Sequence, residues 1–279
     1  ANIFVDDGVD VVYNPTIPKK MGVAHADPYA QFDISGSFQI RNDNLTAWDR
    51  NNFNLDPIMD STQISDNQFF FHPQSGVLRA GSQPFLPNLF LGIQSIGLGT
   101  NTRAGDYSVS LGRDVSTAEN SFAIGYNVHA RDEGMSLGVN LINHGVASYV
   151  IGKGSRSYSP NNYVIGLTNL EADSNTVGKN FVIGETNNFS GEQSYILGKN
   201  NQASNETDNT YVVGRNNIYE GTDAYILGRS HSTVDGVDLY SVGRSNSLPG
   251  TDVYNLGHSN NLNGTNIVSV GISNTTDVA

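Results

Sequence analysis

Acid, base and metal chemistry each need particular side chains at particular separations, and this chain offers three sets to weigh. The carboxylates Glu171, Asp173, Glu185, Glu192, Glu206, Asp208, Glu220, Asp223, Asp235 and Asp252 are plentiful, and glycoside hydrolysis uses two acids about 5 to 10 Å apart. They show no recurrent pair and stand mostly in segments that read as turns, so solvated turn residues are the expectation. The histidines, His25, His72, His129, His144, His231 and His258, lack the H-x-H or H-E-x-x-H spacing of a metal site. No catalytic residue, cofactor or metal is expected, although a metal on a threefold axis would need only one histidine per chain. The third set is basic. Arg113, Lys153, Lys199, Arg215, Arg229, Arg244 and His258 each follow a glycine directly, the last five at successive intervals of 16, 14, 15 and 14 residues.

Those intervals belong to a repeat. Glycine returns as Gly99, Gly112, Gly125, Gly138, Gly152, Gly166, Gly184, Gly198, Gly214, Gly228, Gly243, Gly257 and Gly271, always behind Leu, Ile or Val. Two residues after each stands Asn, Asp, Ser, Thr or Gly, the group that tolerates left-handed backbone or bonds its own main chain in turns. Three residues before it, nine copies carry an aromatic: Phe122, Tyr149, Tyr163, Phe181, Tyr195, Tyr211, Tyr225, Tyr240 and Tyr254. A unit this short cannot bury its apolar face alone, so the pattern predicts a stacked solenoid. About 14 residues accommodate two short strands and two tight turns. At about 4.8 Å per strand spacing, thirteen turns rise roughly 60 Å. No helix start signal precedes a 3.6-residue apolar pattern after residue 90, and almost no α-helix is expected there.

Composition agrees with a thin rod. The chain has 279 residues, 30 glycines, no cysteine and a net charge of -12. Disulfides cannot staple it, so stability must come from the ladder and from association of chains. The acidic balance speaks against nucleic acid, which needs a basic surface, and no stretch approaches the roughly 20 apolar residues of a membrane helix. Residues 1–31, broken by Pro15, Pro18 and Pro28, read as an extended anchoring arm. Residues 32–90 alternate better and hold the only tryptophan, Trp48; they read as a small β-rich junction or cap. Residues 91–279 form the repeat domain. Its two long spacings, around 171–176 and 203–208, are expected to bulge out as polar loops.

In a strand, the residues one and three before the glycine share a face, and the residue two before points the other way. The first face, aromatic plus aliphatic, is expected to line a core. The second reads Val150, Val164, Val182, Ile196, Val212 and Ile226 over six turns. A two-sheet roll with apolar residues on both sides of one strand needs either a thick centre or a partner surface. The expectation is the partner surface: these six residues form the interface of a closed cyclic assembly. The basic residues Lys199, Arg215, Arg229, Arg244 and His258 then stack about 4.8 Å apart. They call either for acids in adjacent turns or a neighbouring chain, or for a groove that receives acidic surface sugars or phosphates.

The segments Ser108-Val109-Ser110-Leu111-Gly112, Ser121-Phe122-Ala123-Ile124-Gly125 and Met135-Ser136-Leu137-Gly138 resemble the S-V-A-I-G repeats of YadA-like head domains in trimeric adhesins, repeats that also occur in phage tail and head fibres. The resemblance implies a left-handed parallel β-roll, a homotrimer, and a non-enzymatic role in attachment. The stretch around Phe69-Phe70-Phe71-His72-Pro73 is similar to lead-ins of such repeats. The sequence shows no carboxy-terminal membrane barrel, heptad stalk or signal peptide. The expectation is therefore a fibre on the surface of a bacteriophage particle, held through residues 1–31 by another particle protein and reaching a host surface glycan. A passenger domain of a bacterial trimeric surface adhesin is the alternative, and a glycan-degrading phage spike comes third.

Overall fold

In this computed structural model, residues 68–72, 76–81, 92–172 and 178–277 are described. The arm expected at residues 1–31 lies outside them, as does most of the junction expected at 32–90. What is described of the junction is a hairpin: β1 (Gln68–His72) runs antiparallel to β2 (Val77–Gly81). Strand β2 in turn pairs in parallel with β3 (Ile96–Thr100), the first strand of the repeat. The hairpin therefore caps the end of the stack.

From residue 92 onward the described residues form strands and turns, with no helix. The fold is an all-β parallel solenoid of about 13 turns with repeats of about 14 residues. Equivalent residues of successive copies sit side by side: Tyr163, Val164, Ile165 and Gly166 pair with Phe181, Val182, Ile183 and Gly184, and these with Tyr195, Ile196, Leu197 and Gly198. A shorter second strand follows each glycine, as in Leu170–Glu171 beside Asn188–Phe189. The extra residues near 203–208 are absorbed by a register shift between Ala203 and Thr207, while Gly198 and Gly214 stay paired.

The repeated glycine is dictated twice over. Its φ lies between +126° and +157° in all thirteen copies, a region that L side chains avoid. In addition, a Cβ on Gly214 would stand 1.6 Å from the carbonyl oxygen of Gly228 in the next turn. Two residues on, the chain turns a corner through left-handed backbone, with φ between 52° and 68° at all thirteen positions. This is the corner that the Asn, Asp, Ser, Thr and Gly residues announce.

The section of the roll corrects the expected faces. Val150, Val164, Val182, Ile196, Val212 and Ile226, expected between chains, are fully buried within one chain and form a core cluster with Val115, Val128, Leu141, Phe189 and Tyr219. The aromatic and aliphatic residues on either side of them, expected in the core, point outward. The reason is width. Side chains from both strands share the interior, and small polar residues fill the rest of it beside the valines: Ser148, Asn162, Asn180, Ser194 and Thr210 are buried on the same turns. Where the valine position becomes Ser241, Asn255 and Ser269, the apolar role passes two residues upstream to Leu239, Val253 and Ile267, which pack with Leu248 and Leu262. Each turn thus keeps one apolar column and one polar column inside.

The polar column is satisfied by its own ladder. Asn187, Asn201 and Asn217 each donate from Nδ2 to Oδ1 of the asparagine one turn earlier, at 2.9 Å. The same amides also donate to the carbonyls of Gly198, Gly214 and Gly228, at 2.9, 3.0 and 3.2 Å. Half-buried main-chain carbonyls at the glycine corner are bonded this way.

Candidate functional site

The outward face of the main strand carries three parallel columns. The first is aromatic and runs without a break from 149 to 254. Tyr149 stacks on Tyr163 at 4.8 Å between ring centroids, Tyr211 on Tyr225 and Tyr225 on Tyr240 at 4.9 Å; the tilted pairs through Phe181 and Tyr195 lie at 6.3 to 6.4 Å. The second is aliphatic: Ile165, Ile183, Leu227, Leu256 and Val270. Both remain open to solvent in the single chain, with Tyr195 50%, Tyr254 56%, Leu256 53% and Val270 71% exposed. Large apolar side chains repeated at one strand spacing make a continuous apolar surface, and such surfaces mark contact with another molecule.

The third column lies beyond the glycines. Lys199, Arg215, Arg229, Arg244 and His258 are mutual register partners on consecutive turns. Together with Gly198, Gly214, Gly228, Gly243 and Gly257 they line an open groove of about 690 Å³, the bare glycines forming its floor. Of the two responses expected to this concentration of charge, pairing inside the chain holds for one member: Lys199 Nζ is 2.8 Å from Glu185 Oε1 on the preceding turn. Among the described residues no ion pair joins Arg215, Arg229 or Arg244 to an acid. Electrostatically the groove favours an anion, a carboxylate of another chain or an acidic group of a ligand.

The other chemistry-bearing residues are scattered. Glu171, expected in a solvated turn, is instead 4% exposed inside the roll. Its Oε2 accepts the backbone N–H groups of Tyr158 and Ser159, the latter at 3.0 Å, and Asn162 Nδ2 at 3.1 Å. Glu185 is committed to Lys199, while Asp173 lies outside the described residues. Near the first turns, Ser116 Oγ stands 2.5 Å from His129 Nδ1 in a shallow groove with Arg103 and Asp114. Burial, then His144, then Arg103 lower the pKa of His129. A serine nucleophile also needs a third group orienting its histidine, and no acid is bonded to His129 among the described residues. His231 is buried in the asparagine column, and burial lowers its pKa against the opposing bonds to Gly243 and Leu227. Among the described residues no three His, Asp or Glu side chains converge as metal ligands.

Two features escape a reading by composition and spacing. The asparagine ladder has a signal, an asparagine three residues after Gly166, Gly184, Gly198, Gly214, Gly243, Gly257 and Gly271, but it is adjacent to the turn residue and merges with it. The second corner, five residues before the glycine, has only a partial one: left-handed backbone recurs there in every turn, and Asn120, Asn161, Asn209, Asp223, Asp238, Asp252 and Asn266 are turn formers, whereas Tyr107, Glu133, Ala147 and Lys179 are not.

The architecture defines a parallel β-solenoid that presents a ridged aromatic and basic face. Neither the models of known protein families nor the curated protein sequences contain a match to this chain.

Proposed function

We propose that this chain is a non-enzymatic fibre protein of a bacteriophage particle, on head or tail, and that three copies wind into one left-handed trimeric rod exposed at the virion surface. In this reading residues 1–31, with the junction to residue 90, attach the rod to another particle protein, and the roll meets the host surface. The observation that carries it is the uncovered stripe of aromatic and aliphatic side chains on the outer face, from 149 to 270. A monomeric rod would leave that stripe in water along most of its length, whereas a closed cyclic assembly covers the same stripe on every copy. The S-V-A-I-G-like repeats support the same reading through the family they resemble.

Sedimentation equilibrium on the full chain tests the assembly. The expected mass is three times 30.0 kDa, and a monomer at micromolar concentration would overturn the proposal. Purified particles labelled with an antibody to the roll are expected to show it on fibres; label confined to bacterial cell envelopes would replace the phage reading with the surface adhesin.

A further inference from the structure

The outer face is bordered by charge on both sides, and the two borders match. Each main strand starts at the second corner, five residues before the glycine, and leaves the face one residue after it. On consecutive turns the entering border carries Asp223, Asp238 and Asp252, and the leaving border carries Arg229, Arg244 and His258. One further turn has charge on both borders, Lys179 entering and Glu185 leaving, and there the polarity is reversed. In every turn where both borders are charged, the signs are therefore opposite. Within one chain the two borders cannot meet, because six residues of extended strand separate them by about 20 Å. No ion pair of Asp223, Asp238 or Asp252 occurs among the described residues either.

A cyclic assembly whose axis runs along the stack brings those borders together. Every strand then runs the same way around the axis, so at each seam the entering border of one copy meets the leaving border of the next, at the same height. We infer that the occupant of the basic groove is a second copy of this chain, whose Asp223 and Asp238 pair with Arg229 and Arg244 and whose Asp252 faces His258, so that the seam fixes the direction of assembly. The inference rests on the reading of the apolar stripe as a contact between copies and adds to it which edges meet. The seam also opposes large errors of register: a slip of three or four turns sets Glu185 of one copy against an aspartate of the other, or Lys179 against an arginine, and like charges oppose assembly.

Three full-length variants test it: Asp223→Lys with Asp238→Lys, Arg229→Glu with Arg244→Glu, and all four changes together. Circular dichroism confirms that each keeps its sheet. Each single-border variant is expected to associate at least about tenfold more weakly than the wild type, more so at low salt, because two exposed attractions per seam become repulsions. The four-fold variant is expected to recover most of the loss. In a fourth chain, Arg229→Lys, a zero-length carbodiimide is expected to join Asp223 of one copy to the lysine placed at 229 of another, a bond the 20 Å intrachain gap forbids. An oligomeric wild type that tolerates both reversals and gives no such cross-link would overturn the seam while leaving the stripe reading intact. A monomeric wild type would overturn both. An Arg229→Glu, Arg244→Glu chain that stays oligomeric but no longer binds immobilised dextran sulfate would show the arginines facing solution, and the groove would then belong to a polyanion.

Discussion

Single residues in this solenoid are constrained by what stands directly above and below them, and His231 shows how much that matters. It occupies the asparagine column between Asn217 and Asn246. Its ring does the work of the amide it replaces: Nε2 donates to the Gly243 carbonyl at 3.1 Å, and Nδ1 accepts from Ser241 Oγ at 3.1 Å. Burial disfavours the charged ring and holds its pKa below the ordinary value near 6.5, against the opposing backbone bonds, and a proton on Nδ1 would also remove the acceptor for Ser241. With the folded pKa lowered, the unfolded chain binds the proton first as pH falls. The stability this group supports is complete above about pH 6.5 and is lost below it, at up to about 1.4 kcal/mol per pH unit. His129 shifts in the same direction, so the effects add. His231→Asn restores the regular column. It is expected to match the wild type within about 1 kcal/mol at pH 7.5 and to lose less melting temperature between pH 7.5 and 5.5. Equal losses in the two proteins would show that His231 stays neutral in both states or titrates without consequence.

At the scale of the element, the main strand has two apolar sides, and which is inside decides what a substitution does. Val212 is fully buried and Tyr211 is 36% exposed. Val212→Asp would place a carboxylate without a partner in the interior, a cost of several kcal/mol, and loss of the sheet signal in circular dichroism is expected. Tyr211→Asp gives up one stacked and one tilted ring contact, about 0.5 to 1.5 kcal/mol each. Its sheet signal is expected to persist while the oligomer weakens. If the two variants exchanged these outcomes, the strand would be turned over. The same pair shows what is legible in the sequence. Thirteen glycines behind aliphatic residues fix the period, the parallel stacking and the first corner, because only one backbone geometry puts a missing Cβ against the next turn's carbonyl. The basic column is legible too, since its members hold one place in the repeat. Which face is inside is not, because the deciding residues are small and polar. The serines and asparagines that complete the interior, such as Ser194 and Asn201, look like turn material until their ladder of mutual bonds is seen. The acidic border also holds one place in the repeat, five residues before the glycine, but its meaning depends on knowing that this place is the corner where the strand enters the outer face.

Over the whole molecule, stability is close to a sum of turns and of contacts between neighbours, because each turn touches only the one before and the one after. That additivity has a limit set by the interior columns, which must continue across any join. Between 164 and 217 two of them are uniform, valine or isoleucine at the inward position of the main strand and asparagine three residues after the glycine, while the others change, from Asn180 to Ser194 and Thr210 and from Phe189 to Ala203. Removing residues 185–198 would splice Gly184 to Lys199 and keep the repeat in phase. Phe181 would then lie beside Tyr211, Val182 beside Val212, and Asn169 beneath Asn201, each pairing of the same kind as the one it replaces. The shortened chain is expected to fold with an unchanged sheet signal and a melting temperature lowered by a few degrees, in a rod about 4.8 Å shorter by small-angle scattering. A deletion of seven residues from the same place would bring the second strand of one turn against the main strand of the next, bury charged outer residues and fail to fold. Collapse of both would mean that the turns are not interchangeable and that stability depends on particular side chains such as Phe189, which the longer deletion also removes.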